Sequence, residues 1–166
     1  MKEYIQFIYA YNAWANRRIL AACEKLSAAE FLAGQGSSTA NPSIRDTLTH
    51  QLSAQELWLA RCNGVSPTRL LDPQDFGALA ALCQYWDEVE QHTRAYIQTL
   101  EDDLLAQEVA YKTTKGIPYT GARWQLLAHQ VNHATQHRAE VALLLTRLNH
   151  SPGDLDMIVF MREIGK

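Results

Sequence analysis

Three histidines, His129, His133 and His137, recur every four residues in a chain of 166 residues that holds six histidines in all. On a helix, a step of four turns a side chain by only about 40° and lifts it about 6 Å, so two imidazoles so placed can reach one ion. Helical HxxxH metal sites are built on that spacing. Three in a row can hardly share an ion, because the outer pair stand about 12 Å apart along the axis. Helical phase chooses among them. With His129 at 0° and about 100° per residue, Leu126, Leu127, Val131, Ala134, Val141, Leu144, Leu145 and Leu148 centre at roughly 120°. His137 then falls at about 80°, inside that apolar face, and His133 at about 40°, at its margin. His129 lies with Gln136 and Arg147 on the polar edge. A histidine pair of this spacing is commonly a satisfied polar pair; pointing inward raises the case for a cation, which would partner both buried rings.

A third ligand has to come from another helix. His50 is the one other histidine flanked by core residues, yet its phase lies roughly 120° from the Ile44–Leu48–Leu52 stripe, towards Ala54, Leu57 and Arg61. His92 sits in a charged stretch with Glu88 and Glu90, and His150 in a helix-ending loop, so both read as solvated. On the residues alone the third ligand stays open. Glu140, one turn beyond His137, reads as a rim ion pair to an arginine, with the alternative of an acceptor that fixes an imidazole tautomer. Tyr11, Trp14 and Asn16 read as ordinary helix packing, with a pocket wall as the other possibility.

The elements that must carry these residues are mostly helices. Apolar residues at Tyr4, Ile8, Tyr11, Ala15, Ile19, Ala22 and Leu26 trace one stripe over 3–26. Ser27 and Glu30 form a capping box that opens a short turn. A loop over Gly34–Thr39 ends at Asn41-Pro42. Ser43 and Asp46 cap a second helix that runs to about Asn63-Gly64. After a loop from Pro67 to Pro73, a third helix begins at about Asp75, with Leu79, Leu82, Cys83, Trp86, Val89, Ile97 and Leu100 inward. Val109–Thr113 and Ile117–Thr120, joined by Thr114-Lys115-Gly116, spell a β-hairpin that needs the helices for support. The fourth helix spans about Gly121 to Asn149, and Asp154–Glu163 forms an apolar C-terminal piece that docks. The expected fold is all-α, a four-helix bundle with a short hairpin before the last long helix, in one domain over 1–166.

Composition removes several function classes. The net charge is −3, from 15 Lys+Arg against 18 Asp+Glu. That gives no basic surface for nucleic acid. No apolar run approaches the roughly 20 residues of a membrane span, and no signal peptide is visible at the N-terminus. The three cysteines, Cys23, Cys62 and Cys83, are odd in number and far apart, which suits a reducing cytoplasm and not a disulfide scaffold.

Three segments together resemble the DinB family, the DinB/YfiT-like metalloproteins. They are Tyr11-Asn12-Ala13-Trp14-Ala15-Asn16-Arg17-Arg18-Ile19-Leu20; Ser43 through His50, continuing to Trp58-Leu59-Ala60-Arg61; and Leu126 through His129 to His133, His137 and Arg138. The resemblance covers nearly the whole chain. It implies a four-helix bundle with a divalent ion on three histidines, at positions that fall on His50, His133 and His137. Zinc or nickel is the expected metal, with iron or manganese as alternatives. Two departures stand out: Ala139 where the family usually has glycine, which bears on helix packing, and Gln55 where it often has glutamate. Three imidazoles leave an open position that admits water or a thiol. Characterised relatives that use bacillithiol or mycothiol imply a small-molecule thiol or electrophile as partner, a thiol S-transferase or hydrolase activity, and pairing into homodimers. Two other readings are a non-catalytic metal-binding or stress-response protein, and a haemerythrin-like di-iron centre. The second needs acidic ligands beyond Asp46.

Overall fold

The computed structural model describes residues 1–34 and 42–165, so most of the loop expected over Gly34–Thr39 and at Asn41-Pro42 lies outside the described residues. The described chain is mostly helical with one small antiparallel hairpin. In order it contains α1 (Lys2–Cys23), α2 (Ala28–Leu32), α3 (Ile44–Cys62), α4 (Leu79–Thr99), α5 (Asp102–Ala106), β1 (Glu108–Lys112), β2 (Pro118–Ala122), α6 (Arg123–Arg147) and α7 (Met157–Ile164). Helix α6 packs against α3 and α1, and α4 packs against the same two.

Local chemistry sets most boundaries. The Ser27 hydroxyl accepts from the Glu30 N–H while the Glu30 carboxylate accepts from the Ser27 N–H at 2.8 Å, the reciprocal capping box expected for α2. Ser43 caps α3 by accepting from the Asp46 N–H at 3.0 Å. After α3 the chain turns at Gly64 with φ +82°, a conformation that costs a glycine nothing. Helix α4 starts at Leu79, later than the expected Asp75: Asp72 accepts from the Gln74 N–H and closes a separate 3-10 turn at Pro73–Asp75. Its inward set is Leu82, Trp86, Val89, Thr93 and Ile97, with Leu79 and Cys83 only half-buried. Helix α5 has no counterpart in the sequence expectation. Five residues with Leu104 and Leu105 carry too little periodicity to register.

The hairpin pairs Val109 with Gly121 and Tyr111 with Tyr119. It leans on α3, where Tyr111 meets the Trp58 ring edge-on at 5.4 Å, and on the loop after α3, where Ser66 accepts from the Lys112 N–H at 2.9 Å. Arg123 ties its far end down, donating to the Leu104 carbonyl at 3.1 Å, to the Tyr96 hydroxyl at 2.7 Å and to the Cys62 carbonyl. Helix α7 docks on α1 through Phe160, whose ring centroid lies 5.7 Å from Phe7, 6.0 Å from Tyr11 and 5.7 Å from Trp14. Tyr11 donates to the Leu155 carbonyl at 2.9 Å and Trp14 to Glu163 at 2.7 Å, so both residues serve packing.

Beside the aromatic cluster of Tyr11, Trp14 and Phe160 under α7, two larger apolar clusters fill the interior among the described residues. One gathers Ile19, Ile44, Leu48, Leu52, Leu82 and Trp86; the other Ile5, Ile8, Ile97, Leu100, Leu127 and Val131. On α1 they are separated by Asn12 and Asn16, both buried. Asn16 accepts from Gln51 at 2.8 Å and from the buried guanidinium of Arg138 at 3.0 Å, and Arg138 also donates to Asn12 and Thr135. This polar layer fixes the height of α6 against α1 and α3, and so the height of His137, Arg138's neighbour.

Candidate metal centre

Helices α3 and α6 bring His50, His133 and His137 together, and one ring nitrogen from each lies within 4.8 Å of the other two. His133 Nε2 is 3.3 Å from His50 Nε2 and 3.2 Å from His137 Nε2. A four-coordinate ion with nitrogen ligands at about 2.0–2.1 Å has ligand–ligand edges of about 3.3–3.4 Å. Two of the three edges therefore already have the length such an ion requires. Hydrogen bonding among the rings does not account for the cluster, since one Nε2–H can point at only one neighbour. The donor set fits a divalent cation.

The partner on the outer side supports the same tautomer. His137 Nδ1 lies 2.8 Å from a Glu140 carboxylate oxygen. With its proton held there, the neutral ring presents a bare Nε2 to the cluster. Glu140 thus bonds the histidine and not an arginine, a correction to the rim ion pair expected from sequence. The signal was present in the i, i+3 spacing, but phase alone cannot say which neighbour a rim carboxylate takes. His133 Nδ1 is buried with no hydrogen-bond partner among the described residues, so that ring is held by packing.

Burial favours the neutral, ligating form of two of the three rings, His133 and His50. It pushes the His133 pKa down to about 4, with the neighbouring charges of His137, His50 and His129 acting the same way. The His50 pKa is lowered too, first by burial and then by His137, against an opposing pull from Glu140. His129 stays outside the group. It is exposed, its ring 4.8 Å from Trp58 and 6.0 Å from His133, as its place on the polar edge implied. His92 is exposed as expected, whereas His150 is half-buried.

Among the described residues no carboxylate belongs to the group. Asp46, the residue a di-iron centre would have recruited, pairs with Arg45 at 2.9 Å. No thiolate is near readiness either, because burial raises the Cys62 pKa to about 11 and the Cys23 pKa to about 12. Gln55 is buried and donates to Thr93 at 3.0 Å and to Glu90 at 3.3 Å, so a carboxylate from α4 stands beside it. Ala139 is exposed, and its methyl takes no place in the core.

A sequence model of the DinB family matches residues 1–165. Protein DinB of Bacillus subtilis (strain 168) is 25% identical over an alignment of 186 residues that covers all of this chain and 99% of that relative. The chain belongs to the DinB family.

Proposed function

We propose that this DinB-family protein is a metal-dependent enzyme that binds a divalent ion on His50, His133 and His137 and activates a small thiol, or water, as a nucleophile. The reaction class is thiol S-transfer to an electrophile, or hydrolysis. The observation that carries this is the convergence of three imidazole nitrogens, two of the gaps being 3.2 and 3.3 Å, with no fourth protein donor in the group among the described residues. Structural zinc sites are closed by four protein ligands, so a three-histidine set leaves room for an exogenous one. A divalent ion bound there supplies Lewis acidity, lowering the pKa of a water or thiol to near neutrality. The chain's own contribution is orientation and charge state. Glu140 holds the His137 proton on Nδ1, and burial keeps His50 and His133 unprotonated at neutral pH.

The rest of the reading follows from the same frame. The pairing of α1, α3, α4 and α6, each against two neighbours, supports a four-helix bundle forming one domain. Zinc or nickel suits three imidazoles, with iron or manganese next. The three free cysteines support a cytoplasmic setting. Among the described residues no helix is long and apolar enough to cross a membrane. The exposed Ile158, Met161 and Ile164 on α7 support pairing into a homodimer. The net charge of −3 favours small-molecule partners over nucleic acid.

The test is reconstitution of tag-free protein with each metal, followed by assay of small thiols against electrophiles. Metal-dependent turnover that disappears in His50→Ala, His133→Ala and His137→Ala is expected. Binding of metal by all three variants at full content would refute the site. Tight metal binding with no turnover would favour a non-catalytic metal-binding protein of the same fold.

A further inference from the structure

Arg61 is a buried cation with no anion. Its side chain is 5% exposed, and its guanidinium carbon lies 4.4 Å from the Trp58 ring and 5.2 Å from the Tyr111 ring. Those rings cover the faces of the guanidinium and leave its edge, where the N–H donors point. No hydrogen bond or ion pair from Arg61 reaches an acceptor among the described residues, and its Nε is fully buried without a partner. Taking a charge out of water without a counter-ion is costly, and burial accordingly lowers the Arg61 pKa. The other buried arginine, Arg138, donates to three side-chain oxygens. Arg61 is the one kept unsatisfied.

Its position relates it to the histidine cluster. Arg61 follows His50 by 11 residues on α3, which is about 20° past three full turns and about 16 Å along the axis. The two residues therefore share a face. The Arg61 guanidinium lies over the ring of Trp58, three residues nearer His50 along the helix. Trp58 and His129 line the interval: their rings are 4.8 Å apart, and His129 is 6.0 Å from His133.

We propose that Arg61 is the anion-binding residue of this site and holds a carboxylate of the small thiol whose sulfur reaches the three-histidine centre. The proposal rests on the thiol reading above and adds the substrate class: a thiol with a carboxylate several bonds from its sulfur. With a net charge of −3, the molecule as a whole does not attract anions, so any preference for one has to be local. Glutathione is a suitable probe, and its diethyl ester keeps the thiol and the length while removing both carboxylates.

Full-length, tag-free, cobalt-loaded protein is titrated with each, following the sulfur-to-cobalt absorption and, in parallel, the heat of binding to metal-free protein. Wild type is expected to bind the acid at least ~10-fold more tightly than the diester, since a charge-assisted hydrogen bond is worth about 1.5–3 kcal/mol. Arg61→Gln brings the two within ~2-fold at unchanged cobalt content. Arg61→Lys, which keeps the charge but loses the planar fork, gives an intermediate ratio and guards against a folding defect in the glutamine variant. Arg94→Gln, an exposed arginine with no ion pair among the described residues, leaves the preference intact. Equal binding of acid and diester by wild type, or an unchanged ratio in Arg61→Gln, overturns the proposal while leaving the metal site standing. If neither thiol perturbs the cobalt spectrum, the thiol reading fails and this one with it.

Discussion

Glu140 sets the proton position on His137, and with it the direction in which that ring's free lone pair points. Outer partners of this kind typically contribute 10–100-fold to metal affinity. Glu140→Gln is expected to weaken zinc binding by roughly that factor in a competition titration with a chromophoric chelator, with far-UV circular dichroism unchanged. A variant that binds as tightly as wild type would show that the 2.8 Å contact does not orient the ligand. The depressed pKa values make a second prediction. Between the ordinary histidine value of 6.5 and the folded value of about 4, the unfolded chain holds more protons at His133 than the folded one does. Acidification through that window therefore favours unfolding. Metal-free protein should lose thermal stability steadily as pH falls from about 6.5 to about 4, and His133→Ala should show a shallower loss. Parallel slopes for the two proteins would contradict the assignment.

At the scale of elements, α7 is held to α1 largely by one side chain, Phe160, buried against three aromatic rings. Phe160→Ala is expected to cost about 3 kcal/mol in urea unfolding, the low end for a buried phenylalanine because the short helix can shift to close the void. No change in the urea midpoint would mean that α7 is not docked as described. Unlike α5, the long helices and the hairpin were legible in the sequence: the Ser27–Glu30 box, the Ser43 cap and the turn around Gly116 all rest on local chemistry that a sequence carries. So was the inward pair His133 and His137, because α6 buries one face and its apolar stripe marks it. His50 was not, for a physical reason. Helix α3 buries Thr47, Thr49, Gln51, Ser53, Ala54, Gln55, Leu57 and Arg61 as well as its leucines, so its apolar stripe covers only part of what is inside. Phase measured from that stripe misplaces a residue on the other buried side, so His50 was singled out only by its core-flanked place on the helix and then by the family resemblance. The polar layer of Asn12, Asn16, Gln51 and Arg138 was invisible for the same reason: buried polar residues become legible only when their partners, more than 30 positions away, are known.

For the whole molecule, a site built from α3 and α6 couples metal binding to folding, because the unfolded chain holds His50 more than 80 residues from its partners. A ligand present at 100 times its dissociation constant stabilises the folded state by about 2.7 kcal/mol. In a domain of this size that corresponds to a rise of roughly 5–10 °C in Tm. Zinc is expected to produce such a rise in wild type, chelator to reverse it, and His137→Ala to abolish it; an equal rise in the variant would place the ion elsewhere. The most direct test of the three-imidazole centre is X-ray absorption at the metal edge on tag-free, reconstituted protein, with metal content measured on the same sample. The expected result is one ion per chain, three imidazole nitrogens at about 2.0–2.1 Å and a further light-atom ligand from solvent. A sulfur or fourth protein ligand completing the shell, or a metal content far below one per chain, would contradict it.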